Sequence, residues 1–131
     1  MSRHVLALWA LLMTFFMVGS AWSLEGKAVI LQGLDKVTAR VSRLEAPIGK
    51  KIKFGNLEII ARACERTPPE EPPESTVYLD ITEVRAGEAV VDLFHGWMFA
   101  SSPALNGLEH PVYDVWVLEC HALAAEKSGQ Q

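Results

Sequence analysis

Short segments in which apolar and polar residues alternate are the feature that most limits how this chain can fold. Residues 37–42, 57–64 and 77–84 alternate with a period of two, and residues 112–120 form a denser apolar run rich in β-branched and aromatic side chains. A period of two places every second side chain on one face of a half-buried strand. Together with the turn residues between the segments, the pattern predicts an all-β fold, a small β-sandwich or barrel of about six or seven antiparallel strands.

Glycine and proline indicate how the strands connect. Gly55 and Asn56 separate two apolar runs and predict a two-residue hairpin turn, because both residues tolerate positive φ. Gly96 interrupts a strand-like run and predicts a β-bulge or a bend. The acidic segment 67–75 contains four prolines, which predicts a stiff, exposed loop. The apolar run at 112–120 predicts a strand that is buried on both faces and central in its sheet.

The first 23 residues have the three-part layout of a secretory signal peptide. Arg3 supplies positive charge, residues 5–18 form an apolar core, and small residues precede a cleavage site before Leu24. We expect a periplasmic or secreted β-domain at residues 24–121 and a flexible tail at residues 122–131. The alternative is a retained inner-membrane anchor over residues 5–24, a length close to the roughly 20 residues that span a bilayer. In both cases the domain faces the periplasm.

Length and charge narrow the class of partner. Removal of residues 1–23 leaves 108 residues, enough for one domain with its own core. The mature net charge is −5, because Arg3 is lost and every acidic residue is kept, and this argues against nucleic-acid binding. Residues 24–66 carry a net charge of +4 and residues 67–131 a net charge of −9. Such asymmetry either marks a two-sided surface or is neutralised where the two halves interleave.

Two cysteines, Cys64 and Cys120, remain in the mature chain. An oxidising compartment and an even count favour a disulfide between them. The chain-entropy treatment assigns about 4 kcal/mol to a closed loop of roughly 57 residues. The alternative is a thiol or metal pair that includes His121, although zinc and copper sites usually have closer spacing or more ligands.

No arrangement of residues in the sequence is diagnostic of catalysis. Ser101 and Ser102 lie near histidines and aspartates, but no nucleophile-elbow motif surrounds either serine. The mature histidines are not spaced as a pair of ligands that share a metal. We therefore predict no catalytic residue, no metal site and no cofactor. A periplasmic hydrolase that acts on envelope polymer and a metal or redox carrier stay open as alternatives.

The sequence instead favours an accessory or interaction protein of the cell envelope. Loops on rigid β scaffolds are common binding sites, and a long loop follows the aromatic run that ends at Phe99. The candidate binding residues are Trp97, Ser101, Ser102, His110, Lys50, Lys51 and Lys53. The expected partner is an envelope or inner-membrane protein, and one version of this hypothesis is an accessory subunit on the periplasmic face of an inner-membrane complex.

One stretch, residues 96–120 (GWMFASSPALNGLEHPVYDVWVLEC), carries a resemblance to a known family. Residues 34–41, 54–59, 63–64 and 68–75 extend the resemblance, which covers about residues 30–120. The chain resembles the uncharacterised family of small secreted bacterial proteins that is numbered 2155 among the domains of unknown function. This resemblance implies an envelope protein of Gram-negative bacteria, and it implies no reaction, substrate or catalytic residue.

Overall fold

The structure, a computed structural model, describes Gly19 and residues 23–121. The predicted signal peptide, its alternative as a membrane anchor, and the predicted tail at residues 122–131 lie almost entirely outside the described residues. Within residues 23–121 the chain forms strands and turns without an α-helix. No helix in this part of the chain is long and apolar enough to cross a membrane.

Eight strands in two antiparallel sheets make up the described chain, which confirms the all-β prediction. The strands are β1 (Leu24–Glu25), β2 (Ala28–Asp35), β3 (Arg40–Pro47), β4 (Lys51–Phe54), β5 (Leu57–Arg66), β6 (Ser75–Glu83), β7 (Val91–Phe99) and β8 (Tyr113–His121). The count exceeds the predicted six or seven because β1 has two residues and because β2 begins with four apolar residues in succession. Neither segment shows a period of two along its whole length.

The two sheets differ in size and in strand order. The larger sheet has the order β1-β5-β6-β7, and β4 pairs with the first residues of β5 while β1 pairs with its last. The smaller sheet has the order β3-β2-β8. The prediction that residues 112–120 form a central strand is therefore wrong, because β8 pairs only with β2. Its apolar character arises because Trp116 and Leu118, on the face turned away from the core, are half-buried rather than exposed.

The hydrophobic core lies between the two sheets. Its side chains occupy every second position of the strands, as the period-two pattern requires. Each fully buried aliphatic side chain contributes about 1.5–3 kcal/mol. The largest fully buried side chains are Leu57, Ile59, Val77, Leu79 and Ile81 from the larger sheet and Val29, Leu31 and Val117 from the smaller one.

The predicted hairpin turn at Gly55 and Asn56 is confirmed, with Phe54 of β4 directly opposite Leu57 of β5. Gly55 has a φ of +58°, and Asn56 keeps a negative φ. A Cβ atom at Gly55 would also collide with the phenol of Tyr113. The Tyr113 hydroxyl accepts a hydrogen bond from the Asn56 N–H at 3.4 Å, so the turn is held against β8 of the other sheet.

The bulge predicted in β7 lies at a different residue. The register of β7 shifts between Phe94 and Asp92, which makes Leu93 the extra residue, whereas Gly96 pairs in register with Leu79. A Cβ atom at Gly96 would come within 3.0 Å of Asn106 Nδ2. Gly96 therefore makes room for the loop after β7 and does not form the bulge.

The disulfide Cys64–Cys120 connects β5 of the larger sheet to β8 of the smaller one, which confirms the predicted pairing. The two Cα atoms are 5.9 Å apart, within the ordinary range for a disulfide. Gly26 passes directly over the bond, and a Cβ atom there would overlap both sulfur atoms. The Gly26 N–H donates to the Cys64 carbonyl at 2.9 Å, so the chain between β1 and β2 closes this end of the core.

Candidate functional site on the outer face and free edge of the larger sheet

Four charged side chains form a row on the outer face of the larger sheet, the face turned away from the core. Arg62 Nε donates to Asp80 Oδ2 at 2.6 Å, and His95 Nδ1 lies 2.7 Å from Asp80 Oδ1. His95 Nε2 lies 3.5 Å from Asp92 Oδ1. Asp80 and His95 are directly opposite each other in the β6–β7 register, a position that brings side chains of one face together. Positive and negative groups therefore alternate across β5, β6 and β7.

The hydrogen bonds of this row fix its charges. The hydrogen bond from His95 lowers the pKa of Asp80, and the one from Arg62 lowers it further. The same contact with Asp80 raises the pKa of His95, against the opposing effect of burial. Each partner favours the charged form of the other. The row therefore behaves as a coupled ion-pair network at mildly acidic pH.

A groove with a volume of about 390 Å³ runs beside this row. Lys51, Glu58 and Ile60 line it on the side of β4 and β5, and Val90 and Asp92 line it on the side of β7. The Lys51 ammonium lies 2.9 Å from Glu58 Oε2, so the positive and negative groups of the groove are paired. The groove is thus a mixed surface, with no strong excess of either charge.

The predicted lysines lie on or beside β4. Lys51 and Lys53 point to the outer face, opposite Ile60 and Glu58 of β5, and Lys50 lies in the turn that precedes β4. β4 is an edge strand of four residues. Lysines on a short edge strand discourage pairing with another chain, which gives Lys51 and Lys53 a structural role that requires no ligand.

Trp97 lies on the same outer face, opposite Tyr78 of β6. The two rings pack edge to face with their centroids 5.5 Å apart. Trp97 nevertheless keeps 40% of its surface exposed. A large aromatic side chain that is held by a neighbour and still half open to solvent is typical of binding surfaces.

Exposed apolar side chains gather around β7. Five of the eight large apolar side chains exposed in the described chain belong to β7 or to the segments that join it, and the other three are scattered over other strands and turns. The exposed apolar residues are therefore concentrated in sequence along β7 and its two connecting segments. We call this surface the β7 edge, and it comprises Val84, Val90, Val91, Trp97 and Leu105 together with Asp92.

His110 holds the loop at residues 100–112 in place. Its side chain is buried, and Nε2 lies 3.1 Å from Glu83 Oε2 at the end of β6. Nδ1 accepts hydrogen bonds from the N–H groups of Val112 and Tyr113 at 3.0 and 3.2 Å, which assigns the proton to Nε2. His110 therefore positions the loop from inside, and a role in partner binding, which stays a prediction, would act through the loop.

Two further contacts support this loop. The hydrogen bond from His110 is the largest influence on the pKa of Glu83, which lies below its ordinary value although burial opposes the shift, and Arg85 adds to the lowering. Lys36 Nζ donates to the His110 carbonyl at 2.9 Å and pairs with Asp114 at the same distance. Leu108 inserts into the core. The loop is thus fixed at its end near β8.

Ser101 and Ser102 begin the same loop, and their hydrogen bonds hold the start of the loop in place. The Ser101 hydroxyl and N–H both donate to the carboxylate of Glu74, at the end of the Pro-rich loop. Burial raises the pKa of Glu74, but these hydrogen bonds and one from the Ser75 N–H outweigh it, so the pKa of Glu74 lies below its ordinary value. The Ser102 N–H donates to the Phe99 carbonyl at 3.3 Å. A second cavity of about 390 Å³ lies beside Ser101 and Glu74.

The partners of the histidines and of Ser101 limit the catalytic and metal-binding chemistry that the described residues can support. Each histidine of the domain has a carboxylate neighbour: His95 has Asp80, His110 has Glu83, and His121 has Glu119 at 2.8 Å. Ser101 is engaged with Glu74 rather than with an imidazole. Among residues 23–121 no group of three or more His, Cys, Asp or Glu side chains is arranged to hold a metal ion.

Sequence reasoning identified part of this surface. Trp97, Lys51 and Lys53 share the outer face, whereas Ser101, Ser102 and His110 lie in the loop beside β7. The carboxylates that organise both regions, Asp80 and Glu83, were not predicted. Asp80 alternates with Val77, Leu79 and Ile81, and Glu83 continues their series of buried positions, but the pattern does not reveal which histidine lies near either carboxylate.

Comparison with known proteins agrees with the resemblance seen in the sequence. The chain is 31% identical over 87 residues to uncharacterized protein RP359 of Rickettsia prowazekii, an alignment that covers 66% of this chain and 56% of that relative. The chain thus spans little more than half the length of the curated relative that it matches. No solved structure matches the chain. Residues 29–120 match the family described as uncharacterized protein conserved in bacteria (DUF2155), and the chain belongs to this family.

Proposed function

We propose that the protein is a non-catalytic interaction protein of the bacterial cell envelope, an accessory subunit on the periplasmic face of an inner-membrane complex. The observation that carries this proposal is the concentration of exposed apolar side chains at the β7 edge. A folded domain of this size gains nothing from leaving a tryptophan and several valines exposed on one side. Contact with a partner protein would bury them, since exposed apolar patches mark interaction sites.

The scaffold suits this role. We regard the two sheets as a small β-sandwich that is closed at one end by the disulfide and on the β7 side by the loop at residues 100–112. His110 and Glu74 anchor the two ends of this loop. A rigid scaffold loses little conformational entropy on binding, so a modest apolar surface suffices for a specific contact. The loop residues Ser101, Ser102 and His110 would shape the contact, and Trp97 would provide its central side chain.

The basic residues of β4 supply a second part of the proposed surface. Lys51 and Lys53 lie across the outer face from Trp97, Lys50 precedes them in the turn before β4, and Lys51 already pairs with Glu58. Charged groups at the rim of an interface affect the association rate and orientation more than the affinity. We expect these lysines to orient the partner, whereas the β7 edge supplies the binding energy.

A pull-down of the full chain tests the proposal. The protein would carry a C-terminal tag and be isolated in mild detergent from native membranes, with mass spectrometry of the intact protein and of the chains that co-purify. We expect a stoichiometric envelope partner, which Trp97→Ala releases. The matched control is Val41→Ala, because Val41 is an exposed apolar residue on β3 of the smaller sheet. A lone soluble monomer, or equal retention of the partner by both variants, would overturn the proposal.

A further inference from the structure

We infer that the free edge of β7 receives an extended, basic segment of the partner protein as an added strand. This inference rests on the proposed function and specifies how the same surface would bind. Strand addition needs an unpaired sheet edge for hydrogen bonds and neighbouring side chains for specificity. β7 offers both. The edge strands β1, β3 and β4 are guarded against such pairing, whereas the edge strand β8 is not.

The backbone of β7 directs alternate residues away from the sheet. The Ala100 N–H donates to the Ser75 carbonyl on the β6 side, and the Trp97 carbonyl accepts from outside the sheet. Hydrogen-bonded and non-hydrogen-bonded pairs alternate in antiparallel strands. Trp97 and His95 therefore present their N–H and C=O groups outward. β7 pairs with β6 on one side and with no other strand of the described chain.

The composition of β7 differs from that of the edge strands β3 and β4. It shares the absence of lysine, arginine and proline with β8, which has no exposed tryptophan beside its edge. Natural proteins guard strand edges with lysine, proline and very short strands. β4 has four residues and two lysines, and β3 contains Arg40, Arg43 and Pro47. β7 has nine residues (VDLFHGWMF) without lysine, arginine or proline. Two features discourage strand pairing at β7: the bulge at Leu93 and the loop at residues 100–112, which follows the strand.

The loop after β7 occupies one end of the edge and indicates what the edge accepts. Asn106 Nδ2 donates to the Trp97 carbonyl at 2.8 Å, the place at which the N–H of an added strand would donate. The Ser102 N–H donates to the Phe99 carbonyl. The stretch from Val91 to His95 has no such cover from the loop. An added strand would therefore pair along this stretch and replace Asn106 at Trp97.

Charge determines the kind of segment. The Asp92 side chain is 74% exposed beside the outward groups of β7, and its contact with His95 is a long one of 3.5 Å. Glu88, in the turn that leads into β7, and Glu109, in the loop, are exposed as well. A lysine or arginine facing Asp92 and an apolar side chain against Trp97 would complement this surface. Pairing with a second copy of β7 would instead bring Asp92 and its acidic neighbours close to the same acidic residues of that copy, and the like charges would repel each other.

A synthetic probe tests the inference on the full chain. The probe is a capped hexapeptide of alternating valine and lysine, titrated against isotope-labelled protein while amide chemical shifts and hydrogen exchange are recorded. We expect shifts along β7 and slower exchange at the His95 and Trp97 amides. Two control peptides should fail to bind: one with glutamate in place of lysine, and one with N-methyl groups on the backbone amides that face β7.

Three variants make the outcome decisive. Asp92→Lys should weaken binding of the lysine peptide by about fivefold, and Glu70→Lys, the same charge change on the Pro-rich loop, should leave the affinity unchanged. Asn106→Ala should tighten binding by about threefold, because it releases the Trp97 carbonyl. Binding of the N-methylated peptide, peptide-induced shifts at β3, β4 or β8 instead of β7, or self-association of the protein through β7 would overturn the inference. A native partner that Trp97→Ala releases and Asp92→Lys retains would overturn strand addition and leave the proposed function standing.

Discussion

His110 is joined to Glu83 by a 3.1 Å contact between Nε2 and Oε2, and this buried pair links the loop at residues 100–112 to the end of β6. The other ring nitrogen of His110 accepts from two backbone N–H groups at the start of β8. One imidazole therefore connects the two sheets beside the loop that follows β7. The stability of the loop and the shape of the proposed binding surface depend on the same side chain.

Replacement of His110 by alanine should lower the stability of the domain. The variant loses three hydrogen bonds at a buried position, each worth about 1 kcal/mol, and the melting temperature should fall by roughly 10 °C or more. His95→Ala is the matched control, because it also removes a histidine paired with a carboxylate, but at an exposed position. Thermal unfolding followed by circular dichroism measures both. Equal shifts for the two variants would contradict a positioning role for His110.

Removal of the disulfide should cost more than any single surface contact. Cys64 and Cys120 are 56 residues apart in sequence, and the chain-entropy treatment gives about 4 kcal/mol for a loop of this length. The double variant Cys64→Ala/Cys120→Ala should therefore unfold at a much lower urea concentration than the oxidised protein. Reduced wild-type protein provides the control for the loss of the sulfur atoms themselves. A change of less than about 1 kcal/mol would show that the two sheets hold together without the bond.

Gly26 should tolerate a side chain only when the disulfide is absent. A Cβ atom there overlaps both sulfur atoms and comes 3.0 Å from the His121 carbonyl oxygen, so Gly26→Ala should destabilise the oxidised protein by about 1–3 kcal/mol. The cost should shrink in the Cys64→Ala/Cys120→Ala background, because the nearest atoms have gone. Urea unfolding of the four proteins measures this coupling. Strict additivity would contradict the close approach of Gly26 to the bond.

The fold could be predicted where the chain alternates and less well where it does not. The strands around Ile59 and Leu79 follow from their period of two, and the turn at Gly55 follows from residue type. β2 was missed because Ala28 to Leu31 is continuously apolar, and the strand predicted from Val37 starts only at Arg40. The Asp35 carboxylate accepts the N–H groups of Val37 and Thr38 at 2.9 and 3.2 Å, which bends residues 36–39 into a turn.

The candidate site was harder to predict, because its pairs are distant in sequence. Asp80 and His95 are 15 residues apart, and Glu83 and His110 are 27 apart. The Asp80–His95 contact depends on the register of β6 and β7, which the Leu93 bulge shifts by one residue, whereas Glu83 meets His110 through the loop that precedes β8. Such a slip moves every later side chain to the other face of a strand. Residue types therefore indicated Trp97 and the lysines, and only the register revealed their charged neighbours.

The ion-pair row on the outer face should make stability depend on pH in a defined direction. The folded protein holds the pKa of His95 above its ordinary value of 6.5, so the contribution of His95 is complete below that pH and is lost as the pH rises through the higher, folded-state value. The pKa of Asp80 is held below 3.8, so its contribution is present above that pH and is lost in stronger acid. Both contributions are present between pH 4 and pH 6.5.

The difference in the free energy of unfolding between wild type and His95→Gln should therefore decline as the pH rises from 6 to 9. Urea unfolding at a series of pH values measures it, with ionic strength held constant because exposed pairs are screened by salt. Asp80→Asn is the control, since it removes the group that raises the pKa of His95 and should flatten the decline. A difference that is constant, or that grows toward pH 9, would show that His95 gains no stabilising proton from its contact with Asp80.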